Sequence, residues 1–385
     1  MRRPGIHAAR RGFTLLEMMV GIAITAIILT AVTAAFLAVS RSYHGEALVK
    51  GAVEGSRTAE IYIERTLRMA GYGLDPVHAF DVQTAGLPGN DKDNYASTVS
   101  GDTVTTDDLA FRYRDPAFLR RGVLSTDGTA LTLAPDTTWG FTPKVGQALL
   151  IACPGARQYT VRRVVSSTAT TAVLTDHAAV PAFPGPGAAC LSDASERPFV
   201  MLVHELRLRV IRLGSRPYLV AFRNLDPVAG NTDYDPVAAD VENFQVAYVM
   251  NRPRTGAATP VDGTGGNWIL GDDPATDNDL PLTTATAPTF DTGYDDSARF
   301  SRHPANVRAV RVSFTVRSAR KESTGRIAFA PQTLENQTLS GAADGYYRLS
   351  VTTSVRVPNL AARAFFVPPI QLTGADPAEL NVWGG

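Results

Sequence analysis

The chain has 385 residues, 44% of them hydrophobic, and its 37 basic residues balance 37 acidic ones. That length accommodates two domains or one large domain with insertions, and the hydrophobic share is enough to bury a real core. A neutral total without a basic cluster in the body of the chain excludes the broad cationic face that nucleic-acid binding requires. Lysine is scarce (Lys50, Lys92, Lys144 and Lys321), and coding bias explains the excess of arginine as well as guanidinium chemistry does.

Residues 1–12 form a short basic leader containing Arg2, Arg3, Arg10 and Arg11. Without it the chain carries 33 basic against 37 acidic residues. Residues 13–39 follow, 27 positions whose only charge is Glu17. As a helix rising about 1.5 Å per residue they reach roughly 40 Å, enough to cross a bilayer. Basic flanks stay in the cytoplasm, so the N-terminus is expected inside and the bulk of the chain outside. An ordinary secretory signal would have an apolar core of about 7–15 residues and then a small-residue cleavage site. Here the apolar run is longer, carries Glu17 near its start and passes unbroken into a helical pattern.

The run Arg11-Gly12-Phe13-Thr14-Leu15-Leu16-Glu17 resembles the processing site of type IV prepilins and type II secretion pseudopilins. The resemblance implies that a prepilin peptidase cuts after Gly12 and N-methylates the new terminus, Phe13. It also implies that Glu17 is the assembly carboxylate, pairing with the N-terminal amine of a neighbouring subunit. A buried carboxylate and a buried ammonium are each costly alone in an apolar bundle, so each favours the other. Methylation leaves the amine charged, so the pair survives it. A Glu serving only as an interfacial anchor would leave the preceding leader, glycine and phenylalanine unexplained.

Helical signals continue past the span. No proline occurs between Pro4 and Pro76, whereas many major pilins carry a helix-kinking proline in the membrane half. Leu48, Ala52, Gly55, Ala59, Tyr62, Thr66 and Ala70 recur at four- and three-residue steps, widened by Ile63 and Leu67. Arg57, Glu60, Glu64 and Arg68 lie on other faces. The pattern predicts one helix within 13–75, running from about Phe13 to Ala70, membrane-spanning to about residue 39 and stopped by Gly71-Tyr72-Gly73. Its second half is expected to pack on a sheet.

Residues 76–198 read as a small β-rich subdomain inserted after the helix. Leu109, Phe111 and Tyr113 alternate with polar residues, and short strands are predicted at 130–133, 148–152, 159–165 and 172–175. Cys153 and Cys190 fall in this block. For a segment outside the cytoplasm a disulfide between them is the default, with two buried free thiols as the alternative. No CxxC or Cys/His cluster supports a metal site.

Residues 199–360 read as the antiparallel sheet of the head. Leu206, Leu208 and Val210 alternate with Arg207 and Arg209, and a turn at 214–217 leads into 218–222. The same alternation recurs at Phe244, Val246, Tyr248 and Met250, at Val310, Val312, Phe314 and Val316, and at Tyr347, Leu349, Val351, Thr353, Val355 and Val357. One apolar and one polar face per strand suits a sheet backed by a helix. The ending Ser354-Val355-Arg356-Val357-Pro358-Asn359-Leu360 is similar to the C-terminal pattern of PilW-type minor pilins. Weaker resemblances to that family lie at 107–113 and 146–150.

The loop 251–304 is rich in Gly, Asp, Thr, Ala and Pro, and Asp272, Asp273, Asp277, Asp279, Asp291, Asp295 and Asp296 make it acidic. Oxygen ligands are plentiful enough there for calcium, but no EF-hand spacing is present, and a solvated acidic loop accounts for the same residues. The tail 361–385 is apolar and Pro-rich, an extended strap against the domain or a partner. His7, His44, His78, His177, His204 and His303 show no ligand spacing, and His204-Glu205 reads as surface polarity. Gly263-Thr264-Gly265-Gly266 has no flanking strand and helix to make a phosphate cradle, and no other catalytic motif occurs.

The expectation is therefore an α+β fold: a pilin-like long N-terminal helix, transmembrane in its first half, packed on an antiparallel β-sheet with an inserted β subdomain. The resemblance implies a non-enzymatic, cofactor-free minor pilin of the PilW type that promotes pilus assembly at or near the filament tip. Its partners would be other minor and major pilins, the prepilin peptidase, the inner-membrane assembly machinery and the membrane, with no nucleic acid. It would begin in the inner membrane with a periplasmic head and end in a surface pilus. The large tip subunit of the secretion relatives, GspK, lacks the glutamate, so Glu17 implies a place just below the outermost subunit. A GspJ-like pseudopilin of type II secretion and a pilus-tip adhesin are the alternatives.

Overall fold

The computed structural model describes residues 14–76, 79–80, 92–99, 102–107, 109–135, 142–154, 159–175, 189–214, 216–223, 234–251, 269–270, 304–322, 332–335, 337–339 and 344–361. The leader with Gly12 and Phe13, nearly all of the acidic loop, and the tail beyond Ala361 lie outside these residues.

A single helix, α1 (Leu15–Leu67), spans 53 residues. Every residue from 15 to 39 is exposed, and the helix is long and apolar enough to cross a membrane. Hydroxyls in this half are satisfied along the helix itself: Thr25, Thr30 and Thr33 donate to the carbonyls of Gly21, Ile27 and Leu29 at 2.7–2.8 Å. No hydroxyl of these three is left for lipid to solvate, as an apolar medium demands. In the second half, Ala52, Ser56, Ala59, Ile63 and Leu67 are buried. The seam is thus centred one position from the expected one, with Gly55, Tyr62 and Thr66 half-buried along its edge. The helix ends slightly early, at Leu67, and Gly71 takes φ 74° to turn the chain. The Asn359 side-chain amide caps the terminus, with the carbonyls of Arg68, Met69 and Ala70 at 3.1–3.4 Å. Carbonyls at this end lie beyond the reach of the helix's own amides; Met69 also accepts from Tyr72 N–H at 2.9 Å, and the Asn359 cap adds a donor for all three.

The strands are β1 (Lys92–Val99), β2 (Asp102–Asp107), β3 (Leu109–Leu124), β4 (Ala130–Leu133), β5 (Ala148–Ala152), β6 (Tyr159–Ser167), β7 (Thr171–Leu174), β8 (Phe199–Leu213), β9 (Arg216–Phe222), β10 (Tyr234–Ala239), β11 (Val241–Met250), β12 (Ile269–Leu270), β13 (Val307–Arg317), β14 (Gln332–Leu334), β15 (Gln337–Leu339) and β16 (Arg348–Arg356). One sheet has the order β12-β11-β13-β16, all antiparallel. β1-β2 and β14-β15 form two-stranded sheets, and an eight-stranded sheet runs β10-β9-β8-β3-β4-β7-β6-β5, in which β5 also pairs with β8. That last pairing closes β3, β4, β7, β6, β5 and β8 into a six-stranded barrel. Closure leaves these strands without a free edge, which protects them from edge-to-edge association.

The boundary expected at residue 198 therefore falls inside the barrel. β8 contributes Phe199–Val203 to it and the rest of its length to the head sheet. β3 likewise serves both units, passing between them at the register shift that separates Arg114 from Leu119. The insert is built on two strands of the head rather than strung beside it. Its core contains Leu124, Leu131, Leu133, Leu149, Ile151, Val200 and Leu202. Gly122 stands where a Cβ would lie 2.9 Å from both the Thr132 carbonyl oxygen and Val200 Cγ2, so only glycine fits the wall. Cys153 and Cys190 are joined as a disulfide with Cα atoms 6.0 Å apart, packed at this core. Closing that loop contributes about 4 kcal/mol in the chain-entropy model.

The head core sits between α1 and both sheets: Ala59, Ile63 and Leu67 meet Phe111, Leu208, Phe244, Val310, Phe314 and Val355. The polar faces expected outside are not all outside. Asn243, Gln245, Ser313 and Thr315 are at most 1% exposed. The two hydroxyls pair across strands with Thr352 and Ser350, both at 2.9 Å, and within β11 the Gln245 amide donates to Asn243 Oδ1 at 2.7 Å. Glu335 (2% side-chain exposure) reaches in from beside β14 to bind Arg311 and Ser313. Buried polar groups are tolerated when paired in this way.

Where the two sheets meet, Asp240 adopts φ 62° between β10 and β11. Its N–H donates to the Pro217 carbonyl, its carbonyl accepts from Arg317 N–H, and its carboxylate binds Arg216. Two residues on, Glu242 takes Arg317 Nη1 at 3.0 Å and Arg348 Nε at 2.8 Å. Arg348 continues to Asp344 at 2.5 Å, and the Tyr346 ring lies 4.5 Å from the Arg317 guanidinium. Burial opposes ionisation of Asp344, but the Arg348 hydrogen bond and charge hold its carboxyl below the usual carboxylate range. This chain of charges ties β9, β10, β11, β13 and β16 together at the end of the head where α1 enters.

Glu205 is not surface polarity, although the His204 side chain is 41% exposed. Glu205 is buried, with Arg112 Nε and Arg163 Nη2 each at 2.9 Å, and His204 Nε2 lies 3.0 Å from Asp115 Oδ2. Both pairs sit where β3 and β8 pass from sheet to barrel.

Candidate functional site

The N-terminal turn of α1 is locally encoded. Thr14 is extended, with ψ 150°, and its Oγ accepts from Glu17 N–H at 3.3 Å. Glu17 returns the interaction: its Oε2 accepts from Thr14 N–H at 2.9 Å and from Thr14 Oγ–H at 3.0 Å. This is a capping box, which satisfies two of the amides that a helix N-terminus leaves open. The sequence carries the signal as Thr14-Leu15-Leu16-Glu17, a Thr three residues before a Glu at the start of an apolar run.

The box determines what Glu17 can offer. Both bonds from Thr14 fall on one oxygen, Oε2. The positive end of the helix dipole lies beneath the carboxylate, a stabilising place for a negative charge. Glu17, Met18, Gly21, Ile22, Thr25, Ala26 and Leu29 line one shallow groove along the helix. An added Cβ at Gly21 would meet nothing within 4 Å, so the backbone is open to a partner there. The carboxylate thus marks one end of an apolar recess on a helix surface that nothing among the described residues covers.

Of the sequence-predicted site residues, Cys153 and Cys190 are brought together, in the barrel. Glu17 stands apart from the head on the exposed half of α1. Gly12 and Phe13, and the acidic residues considered for calcium, fall outside the described residues. Among the described residues no group of three or more His, Cys, Asp or Glu could hold a metal ion.

Two family models match the chain. The prokaryotic N-terminal methylation motif covers residues 7–33, and type IV pilus-assembly protein W covers residues 214–359. The chain therefore carries a PilW-type pilus-assembly domain behind an N-terminal methylation motif. The PilW match begins in the turn before β9 and ends at the Asn359 cap, so it takes in the β12-β11-β13-β16 sheet. The barrel lies between the two matches, as do the weaker resemblances at 107–113 and 146–150. A type IV-like pilin from Thermus thermophilus is similar at 17% identity, covering 57% of this chain and 86% of its own, with a TM-score of 0.21. No curated protein matches the chain. The PilW domain belongs to a structural family rather than an enzymatic one.

Proposed function

We propose that the chain is processed by prepilin peptidase between Gly12 and Phe13, N-methylated on Phe13, and built into a type IV pilus at or near its tip, where it promotes assembly. The observation that carries this is the capped Glu17 carboxylate at the head of an exposed apolar helix, within the stretch that matches a methylation motif. Before assembly the span holds the chain in the inner membrane with the leader cytoplasmic and the head periplasmic. Glu17 then docks on the N-terminal amine of the subunit already in place, and the helix joins the apolar bundle of the filament. Other minor and major pilins and the inner-membrane assembly machinery are its partners. The peptidase acts on this chain; the chain itself performs no covalent chemistry.

The tip placement is supported by where the barrel stands. Gly71 and Tyr72, just past the end of α1, pair through their backbones with Arg112 and Arg114 of β3, and β3 then runs on into the barrel. Leu74 packs with Ala148, Leu150, Met201 and Val203 on the outside of its wall. The added bulk therefore lies beyond the end of the helix remote from the membrane. There it crowds the positions of subunits stacked above, which suits a single copy near the tip better than repeated use along a shaft. Deletion with complementation tests the reading. Loss of surface pili is expected. Intact pili with lost attachment would favour an adhesin instead, and a secretion defect alone would favour a pseudopilin.

A further inference from the structure

We infer that α1 contains a bending point at residues 45–51, placed where the helix leaves the head. The two ends of α1 are each held by their surroundings. The span 15–39 lies in an apolar medium that forces its backbone hydrogen bonds to stay closed. The segment from Ala52 onward is fixed by the burial of Ala52, Ser56, Ala59, Ile63 and Leu67. Between them, residues 40–51 have neither support: none is buried, and only Ser40, Gly45 and Leu48 are even half-buried.

This unsupported stretch also has the weakest local helix chemistry in α1. It contains Gly45 and Gly51, with Ser40, Ser42, Tyr43, His44 and Val49 between and before them. Each glycine lowers local helix stability about fivefold relative to alanine. A glycine inside a helix is often explained by close packing, and Gly55 is such a case: a Cβ there would lie 3.5 Å from Val316 Cγ1 and 3.9 Å from the Ala239 carbonyl oxygen. Gly51 has no such reason, since a Cβ would meet nothing within 4 Å. At Gly45 the neighbour among the described residues is Tyr347 Oη at 3.4 Å, the far end of a side chain that can move. Compensating pairs are weak: Ser42 Oγ to Glu46 Oε1 at 3.4 Å, and Lys50 to Glu54 at 3.7 Å with both side chains mostly exposed. Such exposed pairs scarcely stiffen a helix.

The position gives the bend a use. Residue 40 follows directly on the apolar run, so the stretch lies between bilayer and head. Bending there lets the span change its tilt, from the membrane to a filament bundle, without dragging the head or disturbing the charge network beside Tyr347. The bend itself follows from the helix; its use in assembly rests on the function proposed above.

Hydrogen exchange on the full chain in lipid nanodiscs tests the first point. Amides of 45–51 are expected to exchange at least tenfold faster than those of 56–66 and of the span. The double substitution Gly45→Ala/Gly51→Ala is expected to slow that exchange about twentyfold, two glycine-to-alanine steps, while reducing recovery of the chain in sheared pili several-fold. Exchange in 45–51 as slow as in 56–66 overturns the bending point. Slowed exchange with unchanged recovery overturns its use in assembly. If the unsubstituted chain is itself absent from pili, the proposed function fails and the exchange result stands alone.

Discussion

Glu17→Ala is expected to leave the chain inserted and processed yet nearly absent from filaments. In the bundle, the amine of the preceding subunit would face an apolar neighbour where a carboxylate should be. Stranding one member of a buried ion pair costs about 3–5 kcal/mol, or at least about a hundredfold in occupancy. The same substitution removes the half of the capping box that binds Thr14 N–H. Losing a cap costs only about 0.5–2 kcal/mol of helix stability, too little to release so long an apolar helix from a bilayer. The membrane fraction should therefore hold normal amounts of the variant while sheared pili lose it. Glu17→Gln separates charge from shape. The amide oxygen can still accept from Thr14 N–H, so the cap is largely kept, but there is no charge for the amine. Glutamine should assemble almost as poorly as alanine; recovery to the original level would mean that hydrogen bonding, not charge pairing, guides docking.

The second large effect is expected in the head. Glu242 is 1% exposed and lies between Arg317 and Arg348, whose side chains are themselves 15% and 4% exposed. Glu242→Ala takes a buried carboxylate away from both guanidinium groups, at a cost of about 3–5 kcal/mol. Domain stabilities are commonly about 5–15 kcal/mol, so the urea midpoint of the detergent-solubilised chain should fall by a large fraction. Replacing Glu242 and Arg348 together with apolar residues of similar volume should recover part of the loss, because the unpaired charge goes with its partner. If the single substitution moves the midpoint no more than an exposed Glu would, the network does not hold the two sheets together.

Much of this fold could be read along the chain because it is written locally. The helix, its charge-free first half and the processing motif are contiguous signals. So are the alternating strands: 130–133 and 148–152 were placed to the residue. What escaped is non-local. Closure of the barrel depends on Ala148–Ala152 pairing with Phe199–Val203, some fifty residues later. No period in either segment announces that partner. The polar faces of β11 and β13 alternate as solvent-facing strands do, yet Asn243 and Thr315 are buried because other segments cover them. Glu205 looked like surface for the same reason, its arginine partners lying on β3 and β6. Asn359 was noticed as part of a pattern, but its work as the cap of α1 needed the fold to bring residues 68 and 359 together. At the N-terminal turn of α1 the balance is reversed. Thr14 and Glu17 are three residues apart, and their interaction could have been predicted from spacing alone.

Everything proposed for the filament depends on the chain being cut and modified at its leader junction. The direct measurement is intact-mass and N-terminal peptide spectrometry of the chain recovered from sheared pili of a strain with active prepilin peptidase. The account predicts a mature chain beginning at Phe13, carrying one methyl group on its amine. A chain that still bears Arg10-Arg11-Gly12, or one that begins at any other residue, would contradict it.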